Sequence, residues 1–304
     1  MQNKMITRIN NCTNVRRLQF FIKLATDMKV SIYKPVSPLL QQHIAYIYTL
    51  DRQDGDEPCT YLTFPGIYNI VCLYADTVSE VSDDLVSIRH EPNGVLESRV
   101  VGKFSKAVCV KYEGRISEIT TLFKPFAINA FLPSPLKDFA GGHFSFFNPH
   151  PDYVPAMQAI QSMHTVQDKL AALEAYWLSK YNGYTHPFLP AILDEMSNED
   201  IPERSISEIC KAYGVSRQTM HQHFERYLCK TPAAFRKIIR FRKAVHAHPS
   251  LLAEQRLTRL SVLANYFDQS HMIRDFKELT GHTPKSFFKN ISRFGDGQIS
   301  WLFL

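Results

Sequence analysis

The sequence predicts an α+β chain with a β-rich N-terminal domain and an all-α C-terminal domain. Three observations predict it. Short β-rich runs punctuated by turn residues fill the chain to about residue 140. Helical periodicity replaces them beyond residue 152, and the last hundred residues repeat themselves. A chain of 304 residues is long enough for two cores. Its 45% apolar and 21% charged residues are a globular composition, which sets disordered and fibrous classes aside.

The β-rich runs come in order. They are Tyr61 to Phe64 before Pro65-Gly66, Asn69 to Tyr74 before Ala75-Asp76, Leu85 to Arg89 before Pro92-Asn93-Gly94, Ser98 to Val101 before Gly102, and Ala107 to Tyr112 before Glu113-Gly114. So many short strands predict a barrel or sandwich, cupin-like in outline, over residues 31–198. Residues 1–30 are polar and patternless and read as an irregular tail. Near the end of the first domain, Val166, Leu170, Leu173, Trp177, Leu178 and Tyr181 recur at three and four residues, an apolar stripe on one helix. Such a stripe packs either on its own domain or against a second copy. The acidic, proline-flanked stretch Asp194 to Pro202 reads as a linker.

Bulk features narrow the class further. No run reaches the ~18 apolar residues of a membrane span, and Lys23 interrupts the apolar stretch after Arg16 and Arg17, so no membrane partner and no secretory leader are expected. Six widely spaced cysteines without a Cys-x-x-Cys pair read as thiols of a reducing cytoplasm. No cofactor and no metal site are expected. Charge is asymmetric: residues 1–200 hold 18 Lys and Arg against 21 Asp and Glu, whereas residues 201–304 hold 17 against 8. A segment that basic is the electrostatic footprint of a nucleic-acid partner.

The internal repeat carries the functional reading. Phe224, Thr231-Pro232 and Phe235 recur 52 residues later as Phe276, Thr283-Pro284 and Phe287. Upstream, Ile209-Cys210 and Gly214 recur as Leu260-Ser261 and Asn265 at an offset of 51, so the second copy holds one extra residue in its turn. Ser205 and Glu208 have the spacing of a capping box. Gly214 and Asn265 are residue types that accept positive φ, and Ser216 and Asp268 suit the N-cap of a following helix. Helix, tight turn and helix, twice over, make two helix-turn-helix units, 205–227 and 257–279, in a domain spanning 204–292.

Period divides each second helix into faces. Met220 and Phe224 point inward in the first, leaving Arg217, Gln218, His221 and Gln222 outside. Met272 and Phe276 point inward in the second, leaving Gln269, Ser270, Ile273 and Arg274. Arg pairs bidentately with guanine, Gln with adenine, and Ile meets a thymine methyl, so these eight are the base-reading candidates. Arg236, Lys237 and Arg240 on the connecting helix, with Lys277 and Lys285, are phosphate-contact candidates for double-stranded DNA. His221 and His223, two apart on a helix, do not share a face and make no metal pair.

Tyr266 to Lys277 together with Gly281-His282-Thr283-Pro284 resembles the signature of the AraC/XylS family of bacterial transcription regulators. The resemblance covers about residues 204 to 292. Asn265 and Cys229 stand where that family usually has glycine; the turn accepts Asn265, and Cys229 makes the first copy the less typical one. Phe64-Pro65-Gly66 and Leu122 to Leu132 are similar to the β-rich regions of some members. The resemblance implies a β-rich domain that senses a small-molecule effector or forms a homodimer, and a chain that is not an enzyme. Two rival readings are a metal-dependent cupin-type enzyme tethered to DNA and an architectural protein that bends DNA without reading it. Six scattered histidines, His43, His90, His143, His150, His164 and His186, speak against the first. Two polar reading faces speak against the second.

Overall fold

The structure, a computed structural model, describes residues 20–23, 28–101, 103–198, 203–248, 256–294 and 299–303. They fall into two compact units. One comprises the chain to Cys59, Tyr68–Gly102 and Val110–Tyr184, and the other comprises Thr60–Ile67, Lys103–Cys109 and the chain from Thr185 onward. No helix among the described residues is long and apolar enough to cross a membrane.

The first part of the chain supplies β1 (Phe20–Lys23), β2 (Lys29–Tyr33), α1 (Pro38–His43), β3 (Ile44–Arg52), β4 (Cys59–Thr63), β5 (Asn69–Ala75), β6 (Thr77–Val81), β7 (Leu85–His90), β8 (Glu97–Val101), β9 (Val108–Glu113), β10 (Ile116–Phe123) and β11 (Ser145–Phe146). An antiparallel seven-stranded sheet runs in the order β1-β2-β3-β10-β5-β8-β11, and β6 pairs with β7 as a hairpin. At its centre Thr120 lies opposite Tyr48 and Cys72. Period-two alternation then puts Glu118 on the same face as Thr120. The buried Glu118 carboxyl accepts hydrogen bonds from Tyr48 Oη (2.9 Å), Tyr112 Oη (2.6 Å) and Thr120 Oγ1 (2.5 Å). Burial raises its pKa, and the three hydroxyls satisfy the oxygens that burial strips of water.

Two helices, α2 (Tyr153–Gln161) and α3 (Val166–Lys180), belong to this unit. Leu170, Leu173 and Trp177 are buried, and the Trp177 ring lies 5.0 Å from Phe123 and 5.9 Å from Phe131. The apolar stripe therefore packs on its own unit, with Leu178 and Tyr181 at its exposed margin. Glu174 on the same helix accepts from the Val36 N–H (2.9 Å) and the Ser37 N–H (3.1 Å), which ties α3 to the start of α1.

The irregular tail expected over residues 1–30 is corrected where it is described. Phe20–Lys23 pairs with Lys29–Tyr33, and Met28 and Val30 are buried. A strand so short has little alternation of its own, and only its partner makes it one. The rest of that stretch lies outside the described residues.

The second unit holds α4 (Leu189–Ser197), α5 (Ile206–Ala212), α6 (Arg217–Leu228), α7 (Pro232–Ala247), α8 (Arg256–Leu263), α9 (Gln269–Thr280), α10 (Pro284–Asn290), β12 (Ser292–Phe294) and β13 (Ile299–Phe303). One expectation changes here. Half of the expected linker is helix, because Leu189, Ile192 and Leu193 recur at helical spacing and bury a face of α4, which packs on α7. Residues 199–202 of it lie outside the described residues. From residue 292, where the expected helical domain ends, two strands follow. β13 pairs antiparallel with β12 and with β4, setting Trp301 opposite Thr63 and Phe303 opposite Tyr61. The ladder was invisible to the repeat because β13 falls outside both copies and its partner lies some 240 residues upstream.

One aromatic cluster organises this unit. Phe241, Phe276 and Phe287 are fully buried, with Phe241 and Phe276 centred 5.0 Å apart and Phe276 and Phe287 5.6 Å apart. Phe64 joins them, 5.0 Å from Phe287. The Arg242 guanidinium donates to the Phe64 carbonyl (3.0 Å) and the Pro65 carbonyl (3.1 Å), holding that segment in place.

Candidate nucleic-acid interface

The two copies share the turn and the cap that follows it, and the first copy opens on a capping box. Ser205 and Glu208 close a capping box: the Glu208 N–H donates to Ser205 Oγ (3.2 Å) and the Ser205 N–H to Glu208 Oε2 (2.7 Å). After α5, Gly214 takes φ +63° and the Val215 N–H returns to the Cys210 carbonyl (3.0 Å). In the second copy Asn265 takes φ +59° and the Tyr266 N–H returns to the Ser261 carbonyl (2.8 Å). Ser216 and Asp268 then cap α6 and α9, accepting from the Thr219 N–H (2.9 Å) and the His271 N–H (2.6 Å).

The turn bonds match at an offset of 51 and the caps at 52. The extra residue of the second copy is therefore Phe267, which is 94% exposed. Tyr266 instead enters the core.

The faces divide as the period requires. Met220, Phe224, Met272 and Phe276 are fully buried. Arg217, Gln218, His221 and Gln222 on α6 and Gln269, Ser270 and Arg274 on α9 are exposed, while Ile273 is half-buried. Two of them lean on the preceding helix: Arg217 donates to Ser207 Oγ, and Gln269 Nε2 donates to Thr258 Oγ1 (2.7 Å).

The phosphate-contact candidates split in two. Lys277 and Lys285 are exposed. Arg236 and Arg240 both pair with Glu203, and Arg236 also donates to the Arg204 carbonyl (2.7 Å). Lys237 pairs with Glu278 (2.6 Å) and lies 4.0 Å from the buried Asp275, which ties the connecting helix to α9. Burial raises the Asp275 pKa, with Lys237 and His271 opposing that rise. Arg236, Lys237 and Arg240 thus brace the domain from within.

Two features carried no mark in the residue pattern. His186, 6% exposed, accepts the Leu189 N–H at Nδ1 (3.2 Å), so its Nε2 holds the proton donated to His223 Nδ1 (2.7 Å). That chain joins the start of α4 to α6. The second is Lys230, 7% exposed, its ammonium pushed down to about 8 by burial. A histidine pairing across 37 residues and a lysine buried by its surroundings leave no local periodicity.

The ends of α6 and α9 differ. Gly281 takes φ +74° after α9, whereas Cys229 takes φ +54° after α6. A residue with a Cβ pays about 1–2 kcal/mol to sit there, and glycine does not. Cys229→Gly is therefore expected to stabilise the unit by about 1 kcal/mol, the gain being trimmed by glycine's larger unfolded entropy. A urea midpoint that stays put or falls would show that burial of the Cys229 side chain outweighs its backbone strain.

The match to a family model falls on the same repeated segment. The helix-turn-helix domain family matches residues 209–290. Among solved structures, ToxT from Vibrio cholerae is similar at 8% identity and a TM-score of 0.43, over 80% of this chain and 97% of that chain. A structure of ToxT bound to an unsaturated fatty acid is similar at 13% identity and a TM-score of 0.38, over 87% of this chain and 95% of that chain. No curated protein sequence matches. Residues 209–290 of this chain are therefore a helix-turn-helix domain.

Proposed function

We propose that the protein is a sequence-specific transcription regulator of the AraC type and that its two helix-turn-helix units read successive major-groove segments about one helical turn apart. One observation carries the reading: α6 and α9 expose matching faces, Arg217, Gln218, His221 and Gln222 on one and Gln269, Ser270 and Arg274 with Ile273 on the other. A single helix, α7, connects the units, and Lys237 braces it against α9. Lys277 and Lys285 are the cations best placed for phosphate, since Arg236, Lys237 and Arg240 already have carboxylate partners.

Selection of binding sites from random duplex tests this directly. The expected outcome is a two-part consensus, and a selected pool without one would end the reading. Arg274→Ala is expected to cost about 1–3 kcal/mol of discrimination at a single base position. Lys285→Ala is expected to weaken all sites alike and to flatten the salt dependence by about one unit of slope. The second copy is the main specifier and the first tunes affinity. Loss of all discrimination in Gln218→Ala and His221→Ala proteins would reverse that order.

By the family resemblance, the β-rich unit is the regulatory part, holding a small-molecule effector or a second copy of the chain. Sedimentation of the full chain and thermal shifts with candidate effectors test the two roles separately.

A further inference from the structure

An apolar residue just before a helix N-cap ordinarily folds back onto the fourth residue of the helix. Phe267 holds that position before Asp268 and does not fold back. The fourth residue of α9, Met272, is fully buried in the domain core, and Tyr266 fills the space beside it. Phe267 is left 94% exposed, the most exposed of the large apolar side chains described. It is also the one residue by which the second turn exceeds the first, so the turn closes without it. The fold has no use for its ring.

Its place is the N-terminal tip of α9. Residues at that end of a reading helix approach base edges, and Gln269 and Ser270 follow at once. Asp268 does not compete for the space, because its carboxylate is held by the His271 N–H at 2.6 Å. Exposed Arg259 and Arg274 supply positive charge on the helices to either side of the turn. An apolar group at such a tip has one favourable partner in the major groove, the C5-methyl of thymine.

We propose that Phe267 is a specificity-determining residue that packs on a thymine methyl at the edge of the segment read by α9. The proposal rests on α9 being a DNA-reading helix. It adds a second hydrophobic contact, beside Ile273, to a face made mostly of hydrogen-bonding groups, and it gives the second copy a contact for which the first has no counterpart.

The test uses the full chain and its selected duplex, with each thymine replaced in turn by deoxyuridine, which deletes one methyl. Wild type is expected to lose about fourfold in affinity at one thymine, the worth of one buried methyl group. Phe267→Ala is expected to show the same loss on the thymine duplex and no response to the methyl, whereas Phe267→Leu keeps part of both. Its exposure means that the thermal midpoint of Phe267→Ala should match wild type. Arg274→Ala on the same duplexes is the control. Normal discrimination loss in Arg274→Ala, combined with an unchanged methyl response in Phe267→Ala, overturns the Phe267 contact alone. No effect of Arg274→Ala at any position overturns the reading of α9 and the contact with it. A change in sedimentation of Phe267→Ala with intact methyl discrimination also overturns the proposal, since the ring then serves contact between proteins.

Discussion

Phe276→Ala is expected to destabilise the C-terminal unit by about 3–5 kcal/mol, the cost of deleting a fully enclosed phenyl ring and leaving its cavity. The ring is 0% exposed and lies within 5.0 Å of Phe241, 5.6 Å of Phe287 and 5.5 Å of Phe288. It pins α9 to α7 and α10 together, so its loss should free α9 before the rest of the chain unfolds. Hydrogen exchange of the α9 amides measures this directly, with protection expected to fall far more than in the β-rich unit. The contrast with Phe267→Ala is sharp: the same residue type nine positions earlier is expected to leave stability unchanged. A loss of less than about 1 kcal/mol for Phe276→Ala would mean that the neighbouring rings collapse into the space.

The second large effect is on pH. Burial first, and then the neighbouring His223, push His186 down to about 4 from its ordinary 6.5. The folded state therefore keeps this imidazole neutral while the unfolded state takes up a proton. The contribution is complete above about pH 6.5, falls as pH drops through the window from 6.5 to 4, and is fully lost below it. Over that window it amounts to about 3 kcal/mol. Protonation of Nδ1 would also remove the acceptor used by the Leu189 N–H, releasing α4 and the tie to His223 on α6. Urea midpoints followed from pH 7.5 to 4.5 should fall more steeply in wild type than in His186→Gln. Glu118 and Asp275, both raised by burial, pull the other way in both proteins and cancel from the difference. Parallel slopes would show that the imidazole pair does not report on folding.

The helix-turn-helix pair was legible in the residues because every device in it is local. Ser205 caps three residues ahead, Gly214 and Asn265 accept positive φ where a tight turn demands it, and Met220, Phe224, Met272 and Phe276 sit at helical spacing. The apolar stripe of α3 was legible for the same reason. The fate of the cations was not. Arg236 and Arg240 read as phosphate contacts until Glu203, more than thirty residues away, is folded against them. Phe64-Pro65-Gly66 stood out in the sequence without a stated use, and its use is to close the aromatic cluster around Phe241 and Phe287.

By itself the sequence determined what short-range physics determines: strand and helix periods, caps, turn residues, the unequal copies of the repeat and the basic charge of its C-terminal third. Tertiary structure decided which groups meet across long stretches of chain. It paired β13 with β4, His186 with His223 and Arg236 with Glu203, and it left Phe267 outside while burying Tyr266 beside it. Period and propensity are set by neighbours a few residues apart, whereas burial and ion pairing are set by whatever the fold brings near. Two adjacent aromatic residues can thus read alike in the sequence and have opposite fates in the molecule.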